Sequence, residues 1–205
     1  MKKLTILAAV MGIFAMVAVA NAQPFGIGVS FDEGGTQFTT SSPIPTGSEF
    51  HVYVVGYFLT EIFGYEFELH PKDSSGFMVG KDVYGSAPQD FGSNYEVRAG
   101  TGACMNNAAT MGPNANTWTL TRYKILYFAD PGTDYDFCIG PSPGSGATLP
   151  QGTFCDANAT IYQMSPATQD QSGIVGDGCA VANATQGQNI VDAETSSWGS
   201  LKAAY

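Results

Sequence analysis

The stretch that decides the fold is Ser48–His70, SEFHVYVVGYFLTEIFGYEFELH. From Phe63 onward it alternates: Phe63, Tyr65, Phe67 and Leu69 point to one side, and Gly64, Glu66, Glu68 and His70 to the other. Such alternation predicts a strand with one dry and one wet face. The earlier half reads differently. Phe50, Val52 and Val54 share one face, His51, Tyr53 and Val55 the other, so bulk on both sides predicts a central or doubly covered strand. The connector Tyr57–Phe63 is too apolar for a free loop and is expected to extend the strands or pack over their ends.

Working outward, Phe25–Phe31 alternates large residues with Gly26, Gly28 and Ser30, a strand with glycines where something packs close. Asp32–Gly35 is a turn, Thr36–Thr40 a short strand, and Ser41–Gly47 a proline-rich connection. Pro71–Gly76 is a turn before a short strand at Phe77–Gly80. Lys81–Asn116 is rich in Gly, Ser, Asn and Ala; it reads as a surface excursion with one strand candidate, Asn94–Ala99. Thr117–Ala129 is the longest β-rich run. Tyr123, Ile125 and Tyr127 fall on one face and Leu120, Leu126 and Phe128 on the other, so a bulge near Arg122 is expected. After a turn at Asp130–Thr133, Tyr135–Ile139 reads as the return strand of a hairpin, and Ala159–Met164 and Gly178–Ala182 close the strand candidates. No helix of ordinary length and no fixed-period repeat appears between the ends of the chain. The pattern predicts a single all-β domain, an antiparallel β-sandwich of jelly-roll or immunoglobulin-like type.

The chain opens MKKLTILAAVMGIFAMVAVANA: two lysines, an apolar run and an Ala-Asn-Ala ending, which read as a bacterial-type secretory signal peptide over residues 1–22. The sandwich is assigned to 23–182. The polar tail 183–205 ends in WGSLKAAY, whose Trp198, Leu201 and Tyr205 share one face of a short helix. No later stretch is apolar enough to span a bilayer. The net charge of −10 becomes −12 without Lys2 and Lys3, which argues against nucleic acid and anionic lipid as partners. The expected location is secreted, periplasmic or cell-surface. Four cysteines, Cys104, Cys138, Cys155 and Cys179, imply two disulfides in an exported chain. Proximity in sequence favours Cys138–Cys155, leaving Cys104 to Cys179.

The run FHVYVVG, the strand Gly64-Tyr65-Glu66-Phe67-Glu68-Leu69 and the long element Leu120–Ile139 together resemble a cohesin-type or carbohydrate-binding-module-like β-sandwich over Ser48–Met164. The whole chain is also similar to small exported bacterial proteins of unknown function that end in a Trp-Gly-x-x-Lys segment. The first resemblance implies a non-enzymatic binding or structural module with a glycan or an extracellular protein as partner.

Chemistry-bearing residues are few. Glu66, Glu68 and His70 share a strand face; paired carboxylates on a jelly-roll strand serve some retaining glycoside hydrolases as nucleophile and acid, so a secreted glycosidase is the alternative function. The plainer reading is the polar face that any half-exposed strand carries. His51 and His70 are the two histidines, and with Glu66 or Glu68 they offer a zinc site or an acid–base pair if folding brings them together. Asp130, Asp134 and Asp136 are candidate ligands for structural calcium, with Asp32-Glu33 and Asp170/Asp177 as weaker sets; the plainer reading is turn-forming aspartate. Tyr53, Tyr57, Tyr84, Tyr95, Trp118, Tyr123, Tyr127 and Tyr135 are candidate sugar-stacking rings unless they fill the core. No nucleophile elbow, phosphate loop or dinucleotide fingerprint occurs, and no cofactor is expected beyond the candidate calcium.

Overall fold

A computed structural model describes residues 25–182 apart from 41, 73, 106–116, 131–133, 171–172 and 177. The signal peptide and the C-terminal tail expected from the sequence lie outside the described residues. Fourteen strands and no helix are found among those described: β1 (Gly26–Ser30), β2 (Glu49–Tyr57), β3 (Ile62–Pro71), β4 (Gly76–Val83), β5 (Gln89–Asp90), β6 (Glu96–Met105), β7 (Thr117–Tyr127), β8 (Tyr135–Gly140), β9 (Gln151–Thr153), β10 (Ile161–Gln163), β11 (Ser165–Pro166), β12 (Thr168–Asp170), β13 (Gly173–Gly176) and β14 (Ala180–Ala182). They form two facing sheets and a small ribbon of β12 and β13. The first sheet has the order β11-β1-β2-β7-β4. The second runs β10-β9-β3-β6-β5, with β8 paired to β3 and β14 to β8. Apart from the β1–β11 pair, the strand pairs of both sheets are antiparallel, so the expected all-β sandwich is what forms.

The two runs of the deciding stretch occupy the middle of opposite sheets. Strand β2 is the central strand of the first, as its two bulky faces require. In β3, Tyr65, Phe67 and Leu69 face the core and Glu66, Glu68 and His70 face outward. Phe63 departs from the expected phase: a bulge between Ile62 and Gly64 turns Ile62 inward and leaves Phe63 exposed. The connector packs over the sandwich end, with Leu59 buried between the two strands. Gly28 sits where a Cβ would come within 2.0 Å of the Ala167 carbonyl oxygen, the close approach its strand signalled.

Four expectations fail. The Lys81–Asn116 excursion is in large part sheet: β4 runs on to Val83, and the ten-residue β6 lies directly beside β3. Ala99, Gly100, Gly102 and Ala103 carry no bulk with which to mark a strand. The β7–β8 hairpin does not form, because β7 pairs with β2 and β4 while β8 crosses to pair with β3. The disulfides are Cys104–Cys155 and Cys138–Cys179, not the pairing that proximity suggested. Each staples a neighbouring segment to the second sheet, and both span topology that sequence distance cannot show. Thr36–Thr40 reduces to a single bridge from Thr39 to Val181.

The bulge expected in β7 falls at Leu120, two residues from Arg122: Val54 and Val55 of β2 face Thr121 and Thr119, leaving Leu120 over. It lets Trp118 and Leu120 before it, and Tyr123, Ile125 and Tyr127 after it, all be buried. The Leu120 carbonyl, displaced from the ladder, accepts from the Tyr84 N–H at 3.0 Å and from the Tyr65 hydroxyl of the opposite sheet. Other buried phenols behave likewise: Tyr123 donates to the Tyr95 carbonyl, Tyr135 to that of Gly76, and Tyr162 to that of Glu61. Large rings thus fill the interior and each hydroxyl finds an acceptor.

Replacing Tyr65 by Phe should cost about 1–2 kcal/mol, the value of one buried hydrogen bond to a carbonyl left short of a donor, read as a lowered urea midpoint with unchanged slope. Non-reducing peptide mapping should return the linked pairs Cys104–Cys155 and Cys138–Cys179. Removing either bridge by paired Cys→Ser substitution should cost about 4 kcal/mol on the chain-entropy account, for sequence separations of 51 and 41.

Candidate functional site

The outward face of the second sheet collects most of the polar residues that the sequence singles out. Antiparallel register sets Glu66 opposite Arg98 of β6 on one side and Gln151 of β9 on the other. Gly64 lies opposite Gly100 and Thr153, and Thr153 opposite Ile161 of β10. Farther along, Glu68 stands opposite Glu96 and Gly140, and His70 opposite Cys138. The His70 imidazole lies over Gly140, where a Cβ would come within 2.4 Å of Nε2. That nitrogen is 3.5 Å from Glu68 Oε2. Glu68 and His70 therefore meet, whereas His51 lies on the first sheet, so the two histidines do not share a site.

Two carboxylates facing each other across a ladder repel, a cost that local hydrogen bonds and counter-charges can offset. Here Glu96 is the one tied down. Its Oε1 accepts from the Ser142 hydroxyl at 2.5 Å and the Gly144 N–H at 2.9 Å, with Arg98 Nε at 3.5 Å. These hydrogen bonds, the Ser142 one foremost, outweigh burial and hold the Glu96 carboxyl below its ordinary range. The sequence reading singles out Glu66 and Glu68 but passes over Glu96, because its partners stand 46 and 48 residues away. Arg98 is engaged further: its Nη2 donates to the Phe91 carbonyl at 3.2 Å, and its backbone N–H to Asp90 Oδ1 at 3.0 Å. Asp90 in turn pairs with Lys81 at 2.6 Å, tying the β4 edge of the first sheet to β5 of the second.

Between these side chains lies a shallow depression of about 200 Å³, lined by Glu66, Arg98, Gln151, Thr153, Phe91 and Ile161. Phe91 and Ile161 are 70% and 61% exposed on either side of it, and Phe63 is 44% exposed on β3. Glu68 and His70 lie outside the depression. Glu66 and Glu68 stand on one strand of an open face, both half-buried.

The other candidates disperse. Trp118, Tyr57, Tyr123, Tyr127 and Tyr135 are buried core rings, and Tyr95 is half-buried with its hydroxyl accepting the Met78 N–H. Tyr53 and Tyr84 keep surface, both beside Arg122 on the first sheet. Asp136 pairs with Lys72 at 2.6 Å; its grouping with Asp130 and Asp134 around a cation depends on the loop 131–133, outside the described residues. Asp177 and the Asp170 side chain lie outside them as well. Asp32 closes a turn, accepting from Ser30, Thr36 and Gln37. Glu61, Cys104 and Cys155 bring three ligand-type atoms together, but both sulfurs are consumed in a disulfide. Among the described residues no helix is long and apolar enough to cross a membrane.

No protein family matches the sequence, and no curated protein is detectably similar to it. Solved structures that resemble the chain are cohesin modules. One is the cohesin module of a Clostridium perfringens family 33 glycoside hydrolase, 8% identical, with 69% of this chain and 90% of that one covered at a TM-score of 0.41. Another is the sixth cohesin of Acetivibrio cellulolyticus scaffoldin B, in complex with a Cel5 dockerin: 10% identity, 69% and 93% covered, TM-score 0.42. A third is the second type II cohesin of the same organism's adaptor scaffoldin ScaA, 11% identical, with 70% and 91% covered and a TM-score of 0.42. The strand order gave the same expectation of a cohesin-like sandwich, and the likeness is one of fold.

Substituting Glu96 by Gln should lower stability by about 1.5–3 kcal/mol at neutral pH, the worth of hydrogen bonds to a buried charge. A depressed carboxyl contributes above its unfolded pKa and loses that contribution as pH falls through the folded value. The difference in urea midpoint between wild type and Glu96→Gln should therefore shrink on acidification below the ordinary glutamate range, and remain constant above it.

Proposed function

We propose that this chain is a non-catalytic, extracellular protein-binding module that presents the outward face of its second sheet to a protein partner. The observation that carries this reading is the pair of highly exposed apolar side chains, Phe91 and Ile161, bracketing the Glu66–Arg98 row on an open, nearly flat face. Exposed aromatic and aliphatic anchors around an arginine, rimmed by polar groups, are the composition of protein interfaces. Depth is what a small-molecule enzyme site requires, and this face lacks it. The acidic balance of the chain and the outward positions of Glu66 and Glu68 favour a partner that brings basic groups beside an apolar contact. Two disulfides and the export signal read from the sequence support a location outside the reducing cytoplasm.

The test is affinity capture from the secreted fraction of the source organism with wild type and with Phe91→Asp/Ile161→Asp, both immobilised and checked for folding by circular dichroism. A partner held by wild type should be lost from the double variant, by at least about tenfold in measured Kd. Equal retention by both, or no retention by either, overturns the reading. Polysaccharide hydrolysis by wild type that disappears in Glu68→Gln replaces it with the glycosidase alternative.

A further inference from the structure

The first sheet carries a second concavity, remote from the face just described. Strand β1 ends at Ser30, opposite Tyr53, so β2 runs on past it from Val52 to Glu49 with no β1 residue alongside. The chain after β1 folds back across this gap and leaves a cavity of about 300 Å³. It is lined by Tyr53 on the outward face of β2, by Phe31 and Phe50, whose rings pack inward against Phe137, and by the polar residues Gln37, Thr40 and Ser42. His51 stands at the mouth, its ring 6.1 Å from that of Tyr53 in an edge-on arrangement.

The polar wall is held before any ligand arrives. The Gln37 N–H donates to Asp32 Oδ1 at 2.6 Å, and the Gln37 carbonyl accepts from the Phe31 N–H at 2.7 Å and from Ser30 Oγ at 3.0 Å. Asp32 also accepts from Thr36 and Gly34, so the whole turn is fixed around one carboxylate. Burial opposes the Asp32 charge, but these hydrogen bonds together outweigh it and keep the carboxyl ionised below its ordinary range. The Gln37 backbone is thus fixed in advance and loses little freedom on binding.

The neighbouring charges cancel. Arg122 is clasped by Asp82, with Nε and Nη2 at 2.9 and 2.5 Å from one oxygen, and Lys124 pairs with Glu49 at 2.5 Å. Burial, then Arg122 and Lys124, push the His51 imidazole below its ordinary value, so at neutral pH it is uncharged. An ionic ligand has no unpaired counter-charge to meet here. A ligand with flat apolar faces and a rim of hydroxyls meets the Tyr53 ring, with polar residues beside it.

We propose that this cavity is a binding site for a neutral saccharide, one sugar ring resting against Tyr53 while Gln37, Thr40 and Ser42 hydrogen-bond its hydroxyls. The site is independent of the protein-binding face and on the opposite sheet, so one module would hold a glycan and a protein at once.

The test is an NMR titration of the full chain, labelled with nitrogen-15, against cellohexaose, xylohexaose, chitohexaose and mannohexaose at millimolar concentration. At least one sugar should shift the amides of Phe31, Gln37, His51 and Tyr53 saturably. Gln37→Ala and Tyr53→Ala should each weaken that sugar about tenfold, and Phe91→Asp/Ile161→Asp should leave it unchanged. Should Tyr53→Ala fail to fold, the exposed Gln37→Ala alone decides. No saturable shift with any of the four, shifts confined to other residues, or unchanged affinity in the folded variants overturns the proposal. Because the double variant separates the two faces, loss of protein capture and loss of sugar binding are independent outcomes.

Discussion

The displaced carbonyl of Leu120 is the constraint around which the sandwich is arranged. A strand of eleven residues that buries rings on both sides of a phase change must break its ladder once, and the break strands a polar atom in the interior. That atom is satisfied from two directions, by the Tyr84 backbone and by the Tyr65 hydroxyl from the facing sheet. The second bond links the two layers, joining β3 to β7. Burial pushes the Tyr65 phenol well above its ordinary value, so it remains a donor under any ordinary condition.

The outward faces follow from that inner arrangement. With Tyr65, Phe67 and Leu69 committed to the core, Glu66, Glu68 and His70 must face solvent, and the register with β6 then places Glu96 and Arg98 beside them. The Glu96 charge, opposite Glu68, is compensated by the hydrogen bonds that the turn after β8 supplies through Ser142 and Gly144. On the other sheet the same logic puts His51 and Tyr53 outward next to a charge-paired row, while β1 stops short and opens a cavity at its end. The two candidate surfaces are thus consequences of two central strands that are neighbours in sequence and opposed in space.

Legibility in the sequence tracked side-chain bulk. Strands β2, β3 and β7 announced themselves because large residues recur at period two. The bulge in β7 was also legible, displaced by two residues, since the two apolar sets are out of phase. Strand β6 was half missed: Glu96–Ala99 carries Val97 and Arg98, but the continuation through Gly100 and Gly102 offers no pattern, and its strand character comes from pairing with β3. The exit of Phe63 from the core was invisible for the opposite reason, since an aromatic at the right spacing gives no hint of a bulge. Most candidate sugar-stacking rings were core rings, because a tyrosine reads the same whether its hydroxyl meets water or a carbonyl.

By itself the sequence determined the all-β class, the inward and outward sets of the central strands, the signs of an exported chain and the presence of two disulfides. These depend on local periodicity and composition, which a linear string records. Tertiary structure alone decided which cysteines meet, that β8 leaves β7 to join β3, and that Glu96 rather than Glu66 or Glu68 is the buried carboxylate. Each of these turns on which distant segments become neighbours once two sheets close on one another, and no spacing along the chain encodes that distance.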